Sequence, residues 1–143
     1  MKRTPTLFTG LRALSLLLLL TLVGCSAFSP TSNPRLTISN RTDRTLLYMV
    51  LTSETAARIY IGRTILAGPD GEFSTPQLRP NGSATVTTSE ILGTYEPGNS
   101  LVVVIFAVDE AQATQVDMFG LTDKQLHQRS WRLEISTIPS PSS

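Results

Sequence analysis

Cys25, His127 and Ser100 are the side chains best equipped for covalent or proton-transfer chemistry, and their settings differ. Cys25 is the only cysteine and follows Leu22-Val23-Gly24, just beyond the unbroken run Leu16 to Leu20. A thiol there is a nucleophile that can be modified once deprotonated. His127 is the only histidine and sits between Gln125 and Gln128, where a lone imidazole reads as solvated surface rather than as a general base or a zinc ligand. Ser100 ends Gly98-Asn99-Ser100, which precedes a strand instead of joining strand to helix and lacks the second glycine of a nucleophile elbow, so it reads as a turn. A hydrolase would need Ser100 or another hydroxyl within hydrogen-bond reach of His127. Asp109, Glu110 and Asp117, or Asp70 and Glu72, could gather oxygens for calcium, but neither stretch has the alternating acids and glycine of an EF-hand loop. They read as hairpin ends. The sequence therefore leads us to expect no enzyme, no cofactor and no metal.

The surroundings of Cys25 explain its chemistry. Lys2, Arg3 and Arg12 form a positive start, and Ala13 to Gly24 form a nearly uncharged run of 12 residues. A helix crossing the hydrocarbon core needs about 20 apolar residues, so this stretch reads as a cleaved export signal rather than a permanent span. Leu22, Val23, Gly24 and Cys25 together resemble the lipobox of bacterial lipoproteins: an aliphatic residue three before the cysteine and a small one just before it. The resemblance covers the first 25 or so residues. It implies lipidation of the Cys25 thiol, cleavage after Gly24 by signal peptidase II, and acylation of the new amino terminus. It also implies that Ser26, standing where an aspartate would resemble the inner-membrane retention signal of enterobacteria, directs the protein to the outer membrane. An ordinary secretory signal cut near Ser26 and Ala27, or an uncleaved anchor, are the competing readings.

Removing residues 1–24 leaves 119 of the 143, enough for one domain with a real core. Nine basic against eleven acidic residues then give a formal charge of −2, which argues against nucleic acid as a partner. Eight of those nine are arginines: Arg35, Arg41, Arg44, Arg58, Arg63, Arg79, Arg129 and Arg132. Arginine suits phosphate and carboxylate, so a patch could engage headgroups or a partner, although composition bias explains the usage more simply. Tyr48, Tyr60 and Tyr95 could form an aromatic ledge for a partner or glycan; packing at sheet edges is the plainer reading. Asn40-Arg41-Thr42 and Asn81-Gly82-Ser83 match the glycosylation pattern, which is common by chance.

Four regions follow: a signal peptide over 1–24, the lipidated cysteine and a flexible tether over 25–34, a β domain over 35–136, and a frayed tail over 137–143. Within the domain, Leu36 and Ile38 alternate with polar residues, Asn40 to Asp43 forms a turn, and Thr45 to Leu51 follows, which reads as a hairpin. Ala57 to Ile61 reads as a strand in preference to a short helix within Ser53 to Ile65. Gly68 to Gly71 and Arg79 to Gly82 are turns, and Ser83 to Thr88 is a strand. Leu101 to Val108, the most hydrophobic run after the leader, should be the central strand. Asp109 to Ala113 is its connection to a strand over Thr114 to Phe119. Thr122 caps a helical turn through Gln128, and Trp131, Leu133 and Ile135 alternate in the last strand.

About seven strands at such spacing predict an all-β fold, an antiparallel sandwich of immunoglobulin-like or transthyretin-like type, with a small open barrel as runner-up. The expected function is that of a lipid-anchored, non-enzymatic envelope protein facing the periplasm, held to the membrane by its N-terminal lipid and meeting a protein partner by strand addition at a sheet edge. Leader, short tether and small β domain together are similar in plan to the sandwich lipoproteins of secretion machines, though no diagnostic stretch of theirs occurs here. The alternative is a lipoprotein that holds a small ligand, lipid or glycan in a pocket.

Overall fold

Leu101–Asp109 is apolar on both faces, and a strand of that kind must be covered twice. The computed structural model describes residues 33–139 and shows how this is done. Among the described residues there are eight strands: β1 (Leu36–Asn40), β2 (Leu46–Thr52), β3 (Thr64–Leu66), β4 (Gln77–Leu78), β5 (Ser83–Val86), β6 (Leu101–Asp109), β7 (Gln112–Leu121) and β8 (Arg132–Ile135). Two short helices, α1 (Ser53–Arg58) and α2 (Asp123–Gln128), and a 3-10 turn at Thr88–Glu90 join them. The strands form a three-stranded sheet in the order β5-β1-β8 and a five-stranded sheet in the order β3-β7-β6-β2-β4. This is an all-β sandwich with β6 at the centre of its larger sheet.

The main core lies between the sheets. Leu36, Ile38, Val86, Leu133 and Ile135 meet Leu46, Val50, Leu101, Val103, Ile105 and Leu121 there. A second core covers the far face of the larger sheet, where Leu47, Leu51, Val104, Phe106 and Ala113 pack with Ala56, Ile61, Ile65 and Phe73. Successive side chains of a strand point to opposite faces, so β2 and β6 supply both cores from alternate residues. The three-stranded sheet buries one face only, as the alternating burial of β1 and β8 records.

All pairings between the described strands but one are antiparallel; β1 and β8 run parallel, with Ile38 opposite Leu133. Parallel neighbours cannot share a tight hairpin, and these two are the first and last of the described strands. Asn40 to Asp43 is likewise no hairpin, contrary to the sequence expectation. It carries the chain from one sheet to the other, since β1 pairs with β5 and β8 while β2 pairs with β4 and β6. Alternation reports which face is buried, and two strands facing the same core from opposite sheets satisfy it as well as a hairpin does. The Arg79 to Gly82 turn is a second crossing: Asn81 takes φ 56° and the Gly82 N–H donates to the Arg79 carbonyl at 3.0 Å.

Three further expectations are corrected. The strand expected over Ala57 to Ile61 gives way to α1, started by the Thr52 hydroxyl, which accepts the Thr55 N–H at 3.2 Å. Arg58 and Glu54, one turn apart, pair at 2.6 Å, and the free edge of β7 is taken by β3 instead. The connection expected over Asp109 to Ala113 shrinks to Glu110 and Ala111, because Asp109 and Gln112 already pair. Glu110 adopts φ 51°, where glycine or asparagine would have signalled a tight turn. Trp131 lies outside the last strand: Ser130 and Trp131 take φ 50° and 58°, and the alternation begins only at Arg132.

Candidate functional site

Leu22, Val23, Gly24, Cys25 and Ser26, the residues of the lipidation and sorting expectation, lie outside the described residues, as does the tether up to residue 32. Among the described residues no helix is long and apolar enough to cross a membrane. Ile138, in the segment expected to be a tail, packs half-buried against the inter-sheet cluster.

The candidate catalytic side chains are engaged separately. His127 is exposed on α2, where its Nδ1 stands 2.9 Å from the Asp123 carbonyl oxygen and 3.3 Å from the Asp123 carboxylate. The Ser100 carbonyl accepts the Ser53 N–H at 3.0 Å, and no hydrogen bond joins Ser100 to His127. The Asp70 carboxylate accepts the Glu72 N–H at 3.0 Å and that of Asp117 accepts the Met118 N–H at 2.7 Å, so both acids serve their own turns and strands. Three of the arginines have partners of their own. Arg41 pairs with Glu134 at 3.2 Å, Arg58 with Glu54, and Arg44 donates to the Val108 carbonyl at 3.2 Å. Of the two glycosylation matches, Asn40 is fully buried and Asn81 is exposed in its turn.

The tyrosines separate as well. Tyr60 is 91% exposed beyond α1. Tyr95 packs edge-on to Trp131, with ring centroids 6.1 Å apart, and His127 approaches the same indole at 5.7 Å. Burial and the Asp123 carboxylate both push the Tyr95 hydroxyl pKa up, so it stays protonated. The indole is held there by backbone: the Trp131 N–H donates to the Leu126 carbonyl at 2.8 Å, and the Trp131 carbonyl accepts the Thr37 N–H at 2.9 Å. This trio packs α2 onto the sandwich.

Tyr48 belongs to an apolar concavity. A groove of about 380 Å³ runs along the outer edge of β2, lined by Tyr48, Met49, Val50, Pro76, Val86 and Leu92 among others, with the Glu90 carboxylate at its rim. Its size is within the roughly 300–1,000 Å³ of small-ligand sites. β4 covers only Leu46 and Leu47. Beyond it the Tyr48 N–H donates to the Pro76 carbonyl at 3.1 Å, the Leu92 N–H to the Val50 carbonyl at 2.8 Å, and the Thr52 N–H to the Leu92 carbonyl at 3.0 Å.

The Glu90 carboxylate is fixed by the Thr87 N–H and hydroxyl, each donating at 2.7 Å. The Thr87 N–H and then its hydroxyl hold the Glu90 pKa below its ordinary value, while burial and, secondarily, Glu90 push that of Tyr48 up. At neutral pH the groove therefore presents apolar walls, a neutral phenol and one fixed negative charge. Pro76, Leu92 and Glu90 were not singled out from sequence. A proline next to a short strand is the one signal that could have pointed to a protected edge.

Comparison with protein-family models, with curated proteins and with solved structures finds no match to this chain.

Proposed function

We propose that this chain is a lipid-anchored, non-enzymatic protein of the bacterial cell envelope, held at the outer membrane facing the periplasm, whose β-sandwich meets another protein through a sheet edge. The observation that carries this reading is the placement of Cys25, the sole thiol, immediately after Leu22-Val23-Gly24 at the end of the apolar leader. Two or three acyl chains, at about 0.8 kcal/mol per buried methylene, hold a protein on a bilayer stably, where one chain binds only marginally. The interaction half of the reading draws support from the incompletely covered outer edge of β2.

Cys25→Ala tests the anchor: precursor of unchanged length should accumulate, and labelling by a palmitate analogue should vanish. Labelling that persists overturns it. The interaction half is tested by crosslinking in intact envelopes, and failure to recover a reproducible partner counts against it. Binding of a small ligand, lipid or glycan is the second reading, favoured by the apolar lining of the β2 groove. Ser26→Asp in an enterobacterial host should move the protein toward the inner membrane, and unchanged fractionation removes the sorting argument.

A further inference from the structure

The outer edge of β2 is paired at both ends and open between them. Tyr48 stands opposite Pro76, to whose carbonyl it donates at 3.1 Å, but proline has no N–H to complete the pair. The Tyr48 carbonyl consequently has no hydrogen-bond donor among the described residues. Two residues on, Leu92 satisfies the Val50 carbonyl, while the Val50 N–H has no acceptor among the described residues although Val50 is only 3% exposed. A backbone N–H without a protein partner on so nearly buried a residue is uncommon. Leu92 already runs parallel to β2, bridging Leu51. Had the chain before it stayed extended, Glu90 would have met both groups; the 3-10 turn at Thr88–Glu90 takes it away. What remains is an acceptor and a donor at the spacing of one parallel strand residue, on the wall of the 380 Å³ groove.

We propose that this notch binds an extended peptide of a partner protein through one residue lying parallel to β2, whose N–H donates to the Tyr48 carbonyl and whose carbonyl accepts the Val50 N–H. The peptide's apolar side chains rest against Met49, Val86 and Leu92, and the fixed Glu90 carboxylate selects a lysine or arginine beside them. The short open stretch limits the contact to a strand tip and, with Pro76, keeps the edge from templating a continuous sheet. The inference deepens the interaction reading above and gives it a place and a chemistry.

The test pans the full-length chain, in detergent micelles, against a phage-displayed random dodecapeptide library, and follows the Val50 amide by hydrogen exchange in NMR. Enriched peptides should be extended and apolar with a basic residue, and should slow exchange of the Val50 N–H. Pro76→Ala supplies the missing donor to the Tyr48 carbonyl, so it should weaken those peptides about tenfold, the worth of one hydrogen bond. Leu92→Arg, at an exposed position, should abolish binding without touching the core.

No enrichment over the Leu92→Arg control overturns the proposal, as do peptides that bind Pro76→Ala equally well and leave Val50 exchange unchanged. Protection of Val50 by a small metabolite mixture but by no peptide overturns it in favour of a ligand pocket. If envelope crosslinking recovers a partner whose contacts map elsewhere, the interaction reading stands and the notch falls. If the notch binds peptides but no envelope partner is recovered, only the broader reading falls.

Discussion

The Asn40 side-chain amide donates to the Leu78 carbonyl at 3.3 Å, joining the last residue of β1 in the smaller sheet to the last residue of β4 in the larger one. The same Nδ2 also lies 2.8 Å from the Arg44 carbonyl and 3.1 Å from that of Arg79, while Oδ1 accepts from the Thr42 N–H at 3.0 Å and hydroxyl at 2.7 Å. One buried amide thus serves both crossings between the sheets.

Asn40→Asp keeps the shape but turns a donor toward three carbonyls into an acceptor. Losing a buried donor and burying a charge should destabilise the fold by about 2–4 kcal/mol, measured by urea denaturation. Asn40→Ala should fall in the same range. A loss within error of zero for both would mean that the crossings hold without this residue.

Phe106 is fully buried in the second core. Phe106→Ala should cost about 3–5 kcal/mol through the cavity it leaves. A much smaller loss would indicate that the segment from Ala56 to Phe73 is only loosely laid over the far face of the sheet.

Gly93 has φ +100°, and a Cβ there would run into the Thr55 and Thr52 hydroxyls. Those two hydroxyls hydrogen-bond at 2.9 Å and start α1. Gly93→Ala should therefore destabilise by about 1–3 kcal/mol, from backbone strain and the disturbed cap. Circular dichroism melting reads the effect, and Thr55→Ala placed in the same background should relieve part of it.

Glu90 gives an acid limb to stability. Its folded pKa is lowered below the ordinary 4.5 by the Thr87 N–H and hydroxyl. Its stabilisation is therefore present above the unfolded value and is lost as pH falls through the lower folded one. Thermal midpoints taken from about pH 6 to about pH 3 should decline less steeply in Glu90→Gln than in the parent. Parallel slopes would show that Glu90 is uncoupled from folding.

Much of the fold could be read from the chain because burial leaves a local trace. Leu36 and Ile38, then Leu133 and Ile135, alternate because the smaller sheet buries one face, and Leu101 to Val108 runs continuously apolar because its sheet buries two. Thr122 and Gln125 cap α2 reciprocally at 2.9 and 3.3 Å, as local side-chain chemistry alone requires. The groove left a fainter trace. Tyr48 is legible only as a tyrosine, and its role there depends on Pro76 and Leu92, which lie 28 and 44 residues further along.

Sequence by itself determined the strands β1, β2, β5, β6, β7 and β8 and their order, though not the short β3 and β4, and it placed Cys25 at the end of an apolar leader with a small residue before it. These are properties of neighbouring residues. Only the tertiary structure decided that β1 and β2 belong to different sheets, that β1 pairs in parallel with β8, and that β2 is left unpaired between Pro76 and Leu92. Side-chain alternation specifies which face of a strand is buried, whereas backbone donors and acceptors are the same in nearly every residue. Which strand answers which is therefore settled only when distant segments pack together.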